Sequence, residues 1–155
     1  MSPDIQQVVQ QISKLQSLDI PEVSRFSPAD FRFAIQSLVA EDNLVLALAM
    51  VDAGISLYPQ SEDILAIGGL LAMTICEWEL AIELLQDLCA VQQDLVQPMT
   101  YQMLARALCC NLDMAEASQV LAKGLAAWPN DPTLLAEQAT IGFSHHHMPA
   151  AGLRN

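Results

Sequence analysis

Apolar positions in this chain recur at intervals of three and four. Residues 3–18 place Ile5, Val8, Val9, Ile12 and Leu15 on one stripe with Gln and Lys opposite, which predicts an amphipathic helix. From residue 28 onward the apolar runs keep helical spacing, and no alternating strand pattern or Asn-Gly hairpin interrupts them. Ser27-Pro28-Ala29-Asp30 combines a capping serine, a proline at the first helical position and an acid in the first turn, a strong helix start. Ser2-Pro3-Asp4 repeats that device at the N-terminus. Pro59, Pro98, Pro129 and Pro132 stand where helices must stop or begin. The predicted fold class is all-α.

The helices repeat. Leu57-Tyr58-Pro59-Gln60 is echoed by Ala127-Trp128-Pro129-Asn130, with the two prolines 70 residues apart. Three alanine-anchored segments explain the spacing. Ala47 to Ala81 is 34 residues and Ala81 to Ala117 is 36, so the gap holds two periods of 34 and a two-residue insertion. Each unit is a helix pair that cannot hide its apolar face alone, so neighbours must stack into a short solenoid.

A 34-residue period of paired helices is that of the tetratricopeptide repeat. The chain resembles that family in a sparse set of positions. In residues 28–61 they hold Phe31, Ile35, Leu38, Ala47, Val51 and Pro59; in 62–95, Leu65, Gly69, Ala72, Ala81, Leu85 and Gln93; in 98–131, Tyr101, Ala105, Leu108, Ala117, Leu121 and Pro129. The departures are the bulky Ile35 at a place for a small residue, the missing proline of the second repeat, and turns without glycine: Glu41-Asp42-Asn43, Cys76-Glu77 and Asn111-Leu112-Asp113. The resemblance implies a right-handed α-α superhelix of three such pairs (28–61, 62–95 and 98–131) behind an N-terminal amphipathic helix and linker (1–27). A capping helix at 132–143 and a disordered tail at 144–155 complete the expected layout.

In that family the first helix of each pair lines a concave face that holds extended or helical segments of partners. Its groove positions fall here on Arg32, Gln36 and Val39, then Asp63, Ala66, Leu70 and Met73, then Met99, Gln102, Arg106 and Cys109. Members that clamp a C-terminal carboxylate place several Lys, Arg and Asn there. Here the middle is Ala66, Leu70 and Met73, a shallow apolar surface suited to hydrophobic anchors, and methionine adapts to varied shapes. Arg32 and Arg106 would be polar holds at the two ends. The sequence leaves open whether Leu70 and Met73 line the groove or pack in the core.

The layout is also similar to the cytoplasmic chaperones of bacterial type III secretion translocators. The run from Gln97 to Ala117 resembles that family's third repeat in its proline placement and its closing Asp113-Met114-Ala115-Glu116-Ala117, and Trp78–Ile82 echoes the second. The insertion before Pro98 departs from that pattern, and the family's aromatic pair is reduced to Tyr101. This likeness implies a protein that keeps a hydrophobic, membrane-destined partner soluble, with a homodimer built through the N-terminal helix. A scaffold or adaptor subunit in a larger assembly is the alternative.

Composition narrows the function classes. Apolar residues make up 53% and charged residues 15%, which suits a folded chain with a core of Leu, Ala, Ile, Val and Met. Six basic residues against eighteen acidic give a net charge of −12, so nucleic acid and anionic lipid are unsuitable partners. The same charge also serves the solubility of an apolar chain. Cys76, Cys89, Cys109 and Cys110 lack C-x-x-C spacing and read as small core residues in a reducing compartment. No signal-peptide pattern opens the chain and the longest apolar run, residues 64–76, is short for a bilayer, so no membrane insertion and a cytoplasmic location are expected. His145-His146-His147 is the only histidine run, and a metal-binding role through it is a minor alternative. With every histidine at 145–147, no acid–base or nucleophilic set can be assembled in the repeats. The expectation is a non-enzymatic chain with no cofactor.

Overall fold

The computed structural model describes the backbone of residues 25–146 and the side chains of 25–142. Helices α1 (Pro28–Ala40), α2 (Leu44–Leu57), α3 (Glu62–Thr74), α4 (Trp78–Gln92), α5 (Pro98–Cys110), α6 (Met114–Ala127) and α7 (Pro132–His146) follow one another, with a 3₁₀ turn at Gln93–Leu95. Among the described residues there is no strand. The expected amphipathic helix at 3–18 and its linker through Pro21 lie outside them. The last helix runs to His146, three residues past the expected end at 143, so Ser144 to His146 are helical and not tail. Residues 147–155 are outside the described set.

Helix starts follow their sequence signals. Ser27 and Asp30 form a reciprocal capping box: the Asp30 amide donates to Ser27 Oγ at 3.3 Å, and the Ser27 amide donates to Asp30 Oδ2 at 2.8 Å. Ser61 accepts from the Ile64 amide ahead of α3, and Asp131 Oδ1 accepts from the Thr133 and Leu134 amides ahead of α7. Each satisfies donors that a helix N-terminus leaves open.

The turns inside the pairs keep a left-handed residue although glycine is missing. Asp42, Cys76 and Leu112 have φ of 58°, 62° and 68°. Each sits one residue past a helix cap with the same two hydrogen bonds. The Asp42 amide donates to Val39 O and the Asn43 amide to Leu38 O. Cys76 with Glu77 repeats this onto Met73 O and Ala72 O, and Leu112 with Asp113 onto Cys109 O and Leu108 O. This is the Schellman arrangement, which satisfies the orphan carbonyls of a helix end and normally uses glycine. Aspartate tolerates the conformation, whereas Leu112 bears its full steric cost while 85% exposed.

Two compact units result, divided at Val91/Gln92, the end of α4. In the first, α1 packs against both α2 and α3, and α2 against α3. Phe31, Ile35, Leu38, Ala47, Met50, Val51, Ile64, Leu65, Leu71, Ala72, Ala81 and Leu85 are buried, which includes the apolar helix positions of the repeat, whereas Pro59 and Gln93 at its closing position are exposed. Gly68 and Gly69 are close-packing residues: an added Cβ would lie 2.8 Å from Val51 Cγ1 at the first and 2.9 Å from Leu85 Cδ2 at the second. At the place of Gly69 the first repeat has Ile35, fully buried. It also has Val51 where the others have Leu85 and Leu121, so volume moves from one helix of the pair to the other. A core tolerates such an exchange when total volume is kept.

In the second unit α5 packs against α6 and α7, and α6 against α7. Leu104, Ala105, Ala107, Leu108, Ala117, Leu121, Leu134 and Ile141 are buried, with Tyr101 half-buried.

The aromatic-proline pairs close their repeats. Tyr58 Oη donates to Phe26 O at 2.7 Å, and Trp128 Nε1 donates to Val96 O at 2.9 Å. Both bonds span 32 residues, from the end of the second helix to the carbonyl two residues before the proline that opens the first. The second repeat has Gln92 at that place. Its Oε1 accepts instead from the Gln97 amide at 3.2 Å and Thr100 Oγ1 at 3.0 Å, binding the following segment, and Gln93 takes a φ of 52°. The irregular linker, the missing proline and the unit boundary therefore coincide.

Candidate peptide-binding face

On α3, residues 63, 66, 70 and 73 follow helical spacing along one face, opposite buried Leu65, Gly69 and Ala72. Asp63 is exposed, Ala66 and Met73 are half-buried, and Leu70 is 50% exposed. Leu70 therefore stands on the surface and Met73 is only partly covered. On the adjoining α1, Arg32 and Gln36 are exposed and Val39 is half-buried. Arg32 NH1 lies 3.4 Å from Asp63 Oδ1, with both side chains about half exposed. The two helices thus present neighbouring faces whose shared edge carries an ion pair and whose middle is apolar. An exposed pair of this kind adds little stability, at most about 1 kcal/mol.

In the second unit, Met99 and Arg106 are exposed and Gln102 and Cys109 half-buried along α5. Here the structure corrects the expectation of a free polar hold. Glu137 of α7 is 5% exposed, and Arg106 grips it with Nε at 3.2 Å and NH2 at 2.5 Å. Gln102 Nε2 completes the set at 3.1 Å. This hydrogen bonding to Glu137 holds the Arg106 guanidinium above its ordinary value, although partial burial works the other way. Arg106 and Gln102 fasten α7 to α5, and Arg32 too has an internal partner. Sequence reading missed Glu137, though a signal was present: Leu134, Glu137 and Ile141 fall on one stripe, with an acid where an apolar residue is expected.

The cysteines also differ from expectation. Cys76 and Cys110 are exposed, Cys89 and Cys109 half-buried, and none is in a disulfide. They are not core residues, because core places in these helices go to Leu, Ala and Gly at the repeat positions. Burial, and then the neighbouring Cys110, pushes the Cys109 thiol up. Among the described residues no group of three or more His, Cys, Asp or Glu is placed to hold a metal. His145 and His146 end α7, and His147 lies beyond the described residues. No helix among the described residues is long and apolar enough to cross a membrane.

The alternation of paired helices, closed by an aromatic at each outer repeat and turned through left-handed caps at a 34- and 36-residue interval, has counterparts among solved structures. The first tetratricopeptide domain of Spaghetti (RPAP3), bound to the HSP90 peptide SRMEEVD, matches with a TM-score of 0.66 at 12% identity, over 77% of this chain and 93% of that one. A putative kinesin light chain from Podosopora anserina with nearly identical TPR-like repeats matches with a TM-score of 0.69 at 19% identity, over 92% of this chain and 76% of that one. A second crystal structure of that protein gives the same values. The fold is that of the tetratricopeptide-repeat proteins. At these identities the likeness concerns architecture alone. No protein-family model matches the sequence, and neither does any curated protein.

Proposed function

We propose that this protein is a non-enzymatic protein-binding module that takes an apolar segment of a partner onto the neighbouring faces of α1 and α3. The observation that carries the reading is Leu70, half exposed beside Ala66 and Met73 on a face flanked by the Arg32–Asp63 pair. Leaving a leucine half in water is unfavourable by roughly 1 kcal/mol that a partner's apolar side chain can recover. The solved relative that carries a peptide supports the same use of the fold. Its peptide is acidic, however, and this chain has a net charge of −12 with Arg32 and Arg106 already bound to carboxylates. The segment that fits here is apolar and neutral or basic.

The finer role is that of a cytoplasmic chaperone for a hydrophobic secreted protein, resting on the likeness of residues 97–117 and 78–82 to the type III secretion translocator chaperones. That likeness also implies a homodimer through residues 3–18, an arrangement that competes with docking of the same stripe within one chain. The test is co-expression with the hydrophobic protein that wild type retains in a pull-down, using Leu70→Glu, Met73→Glu for comparison. A chaperone keeps that protein soluble, and the folded double variant releases it to the insoluble fraction. Retention and solubility unchanged in the variant would remove α3 from the binding face.

A second reading, an adaptor subunit, is favoured by α7. Leu135 is 46% exposed, Ala139 and Gly142 are exposed beside it, and a Cβ on Gly142 would meet nothing within 4 Å. A helix of another subunit could continue the stack there. Leu135→Glu would break assembly with a soluble subunit while leaving the pull-down through α3 intact.

A further inference from the structure

Within each unit, the first helix that follows a complete pair shows which of its faces meets that pair. On α3 that face is Ile64, Ile67 and Leu71, and Ile64 reaches Gly54 of the preceding α2. On α7 it is Leu134, Glu137 and Ile141, with Leu134 against Gly124 and Glu137 against Arg106. Of these six residues five are buried, and Ile67 is half-buried. The corresponding residues of α1 are Asp30, Phe33 and Ser37, and there the pattern breaks. Phe33, the largest of the set, is 52% exposed.

What precedes α1 in the chain is the amphipathic stripe Ile5, Val8, Val9, Ile12 and Leu15. Within each unit the element before the next first helix is a helix joined to it by a short turn, α2 before α3 and α6 before α7. Sixteen residues of helix, 3–18, would be about 24 Å long, slightly longer than α1 at about 20 Å. Residues 19–24 can span roughly 20 Å, enough to reverse direction and lay that helix along α1. The chain enters at the right end, since the Tyr58 hydroxyl fixes Phe26 O and the Phe26 ring meets Phe31 edge-on with centroids 6.3 Å apart.

We infer that residues 3–18 dock in cis on the Phe33 face of α1, supplying for α1 what α2 supplies for α3 and α6 for α7. The apolar stripe covers Phe33, while the Gln and Lys face stays in water. The segment then serves as an N-terminal cap, as a solenoid requires where its first repeat would otherwise end on an open face.

The test replaces Phe33 with the photo-crosslinking residue p-benzoylphenylalanine in the full chain, irradiates dilute protein and maps the product by mass spectrometry. Cis docking gives a species of one-chain mass with the crosslink within residues 5–15. A crosslink of two-chain mass overturns it in favour of a second copy on this face. Equally, no crosslink from Phe33 to residues 5–15 overturns it. As an independent readout, Val8→Asp, Ile12→Asp breaks the stripe without touching the repeats. It is expected to lower the yield of the one-chain crosslink at least fivefold with helix content of the repeats retained.

Discussion

Removing Arg106 isolates the cost of a buried carboxylate. Glu137 is 5% exposed and receives three side-chain donors, two of them from Arg106 and one from Gln102. In Arg106→Leu the carboxylate keeps only the neutral amide. Breaking a buried ion pair from one side costs about 3–5 kcal/mol, and because Arg106 is half exposed and water can enter its place, about 2–3 kcal/mol is expected here. Glu137→Gln leaves a solvated guanidinium and a neutral acceptor, and should cost only about 1 kcal/mol. The double variant Arg106→Leu, Glu137→Leu leaves no uncompensated charge and should return to within about 1 kcal/mol of wild type. The assay is urea unfolding followed by Trp128 fluorescence in a Trp78→Phe background, which reports on the second unit alone. For a unit of this size the Arg106→Leu loss corresponds to a fall in Tm of roughly 8–24 °C. If Arg106→Leu costs less than about 0.5 kcal/mol, Glu137 does not depend on it and the reasoning fails. A double variant as unstable as the single one would assign the loss to packing instead of charge.

Other predictions follow from the helix ends, the glycines and the thiols. Leu112→Gly relieves an exposed left-handed leucine and should stabilise the chain by about 1 kcal/mol, read as a higher denaturation midpoint with unchanged m. Gly68→Ala places a Cβ 2.8 Å from Val51 Cγ1 and should destabilise by about 1–2 kcal/mol net of the helix-propensity gain. Gly142→Ala, with open space around it, should instead gain up to about 1 kcal/mol. In timed alkylation at mildly alkaline pH, Cys109 should react more slowly than exposed Cys76 and Cys110, because burial pushes its thiol up and the thiolate is the nucleophile. The difference in rate narrows toward strongly alkaline pH, where Cys109 too becomes thiolate, and the same shift makes stability fall as pH rises from the ordinary thiol value through the folded one.

Much of this architecture was legible because a repeat prints the same physical demand several times. Phe31, Leu65, Ala72, Ala81, Ala105 and Ala117 are buried as their register requires, and Ser27, Pro28 and Asp30 start α1 as capping chemistry dictates. The aromatic-proline pairs marked something real as well, although the proline was the louder signal and the hydrogen bond belongs to the aromatic. Other features were hidden because they depend on partners distant in sequence. That Arg106 is committed to Glu137 follows from α7 lying against α5; the acid in the apolar stripe of α7 marks Glu137 but does not name its partner. Asp42, Cys76 and Leu112 look like departures from a glycine rule, yet the backbone keeps the same turn and lets the side chain bear the strain. The extent of α7 past residue 143 was missed because the histidines resembled a polar tail.

The face of α3 carries the central claim. Peptides selected from a displayed random library against the wild-type chain, labelled with a fluorophore, give the direct measurement: anisotropy titration with wild type and with Leu70→Glu, each shown folded by circular dichroism. The account predicts that selected peptides carry apolar residues at helical or alternating spacing with little negative charge, and that Leu70→Glu weakens them at least tenfold. Selection of acidic peptides such as SRMEEVD, or equal affinity for both proteins, would contradict it.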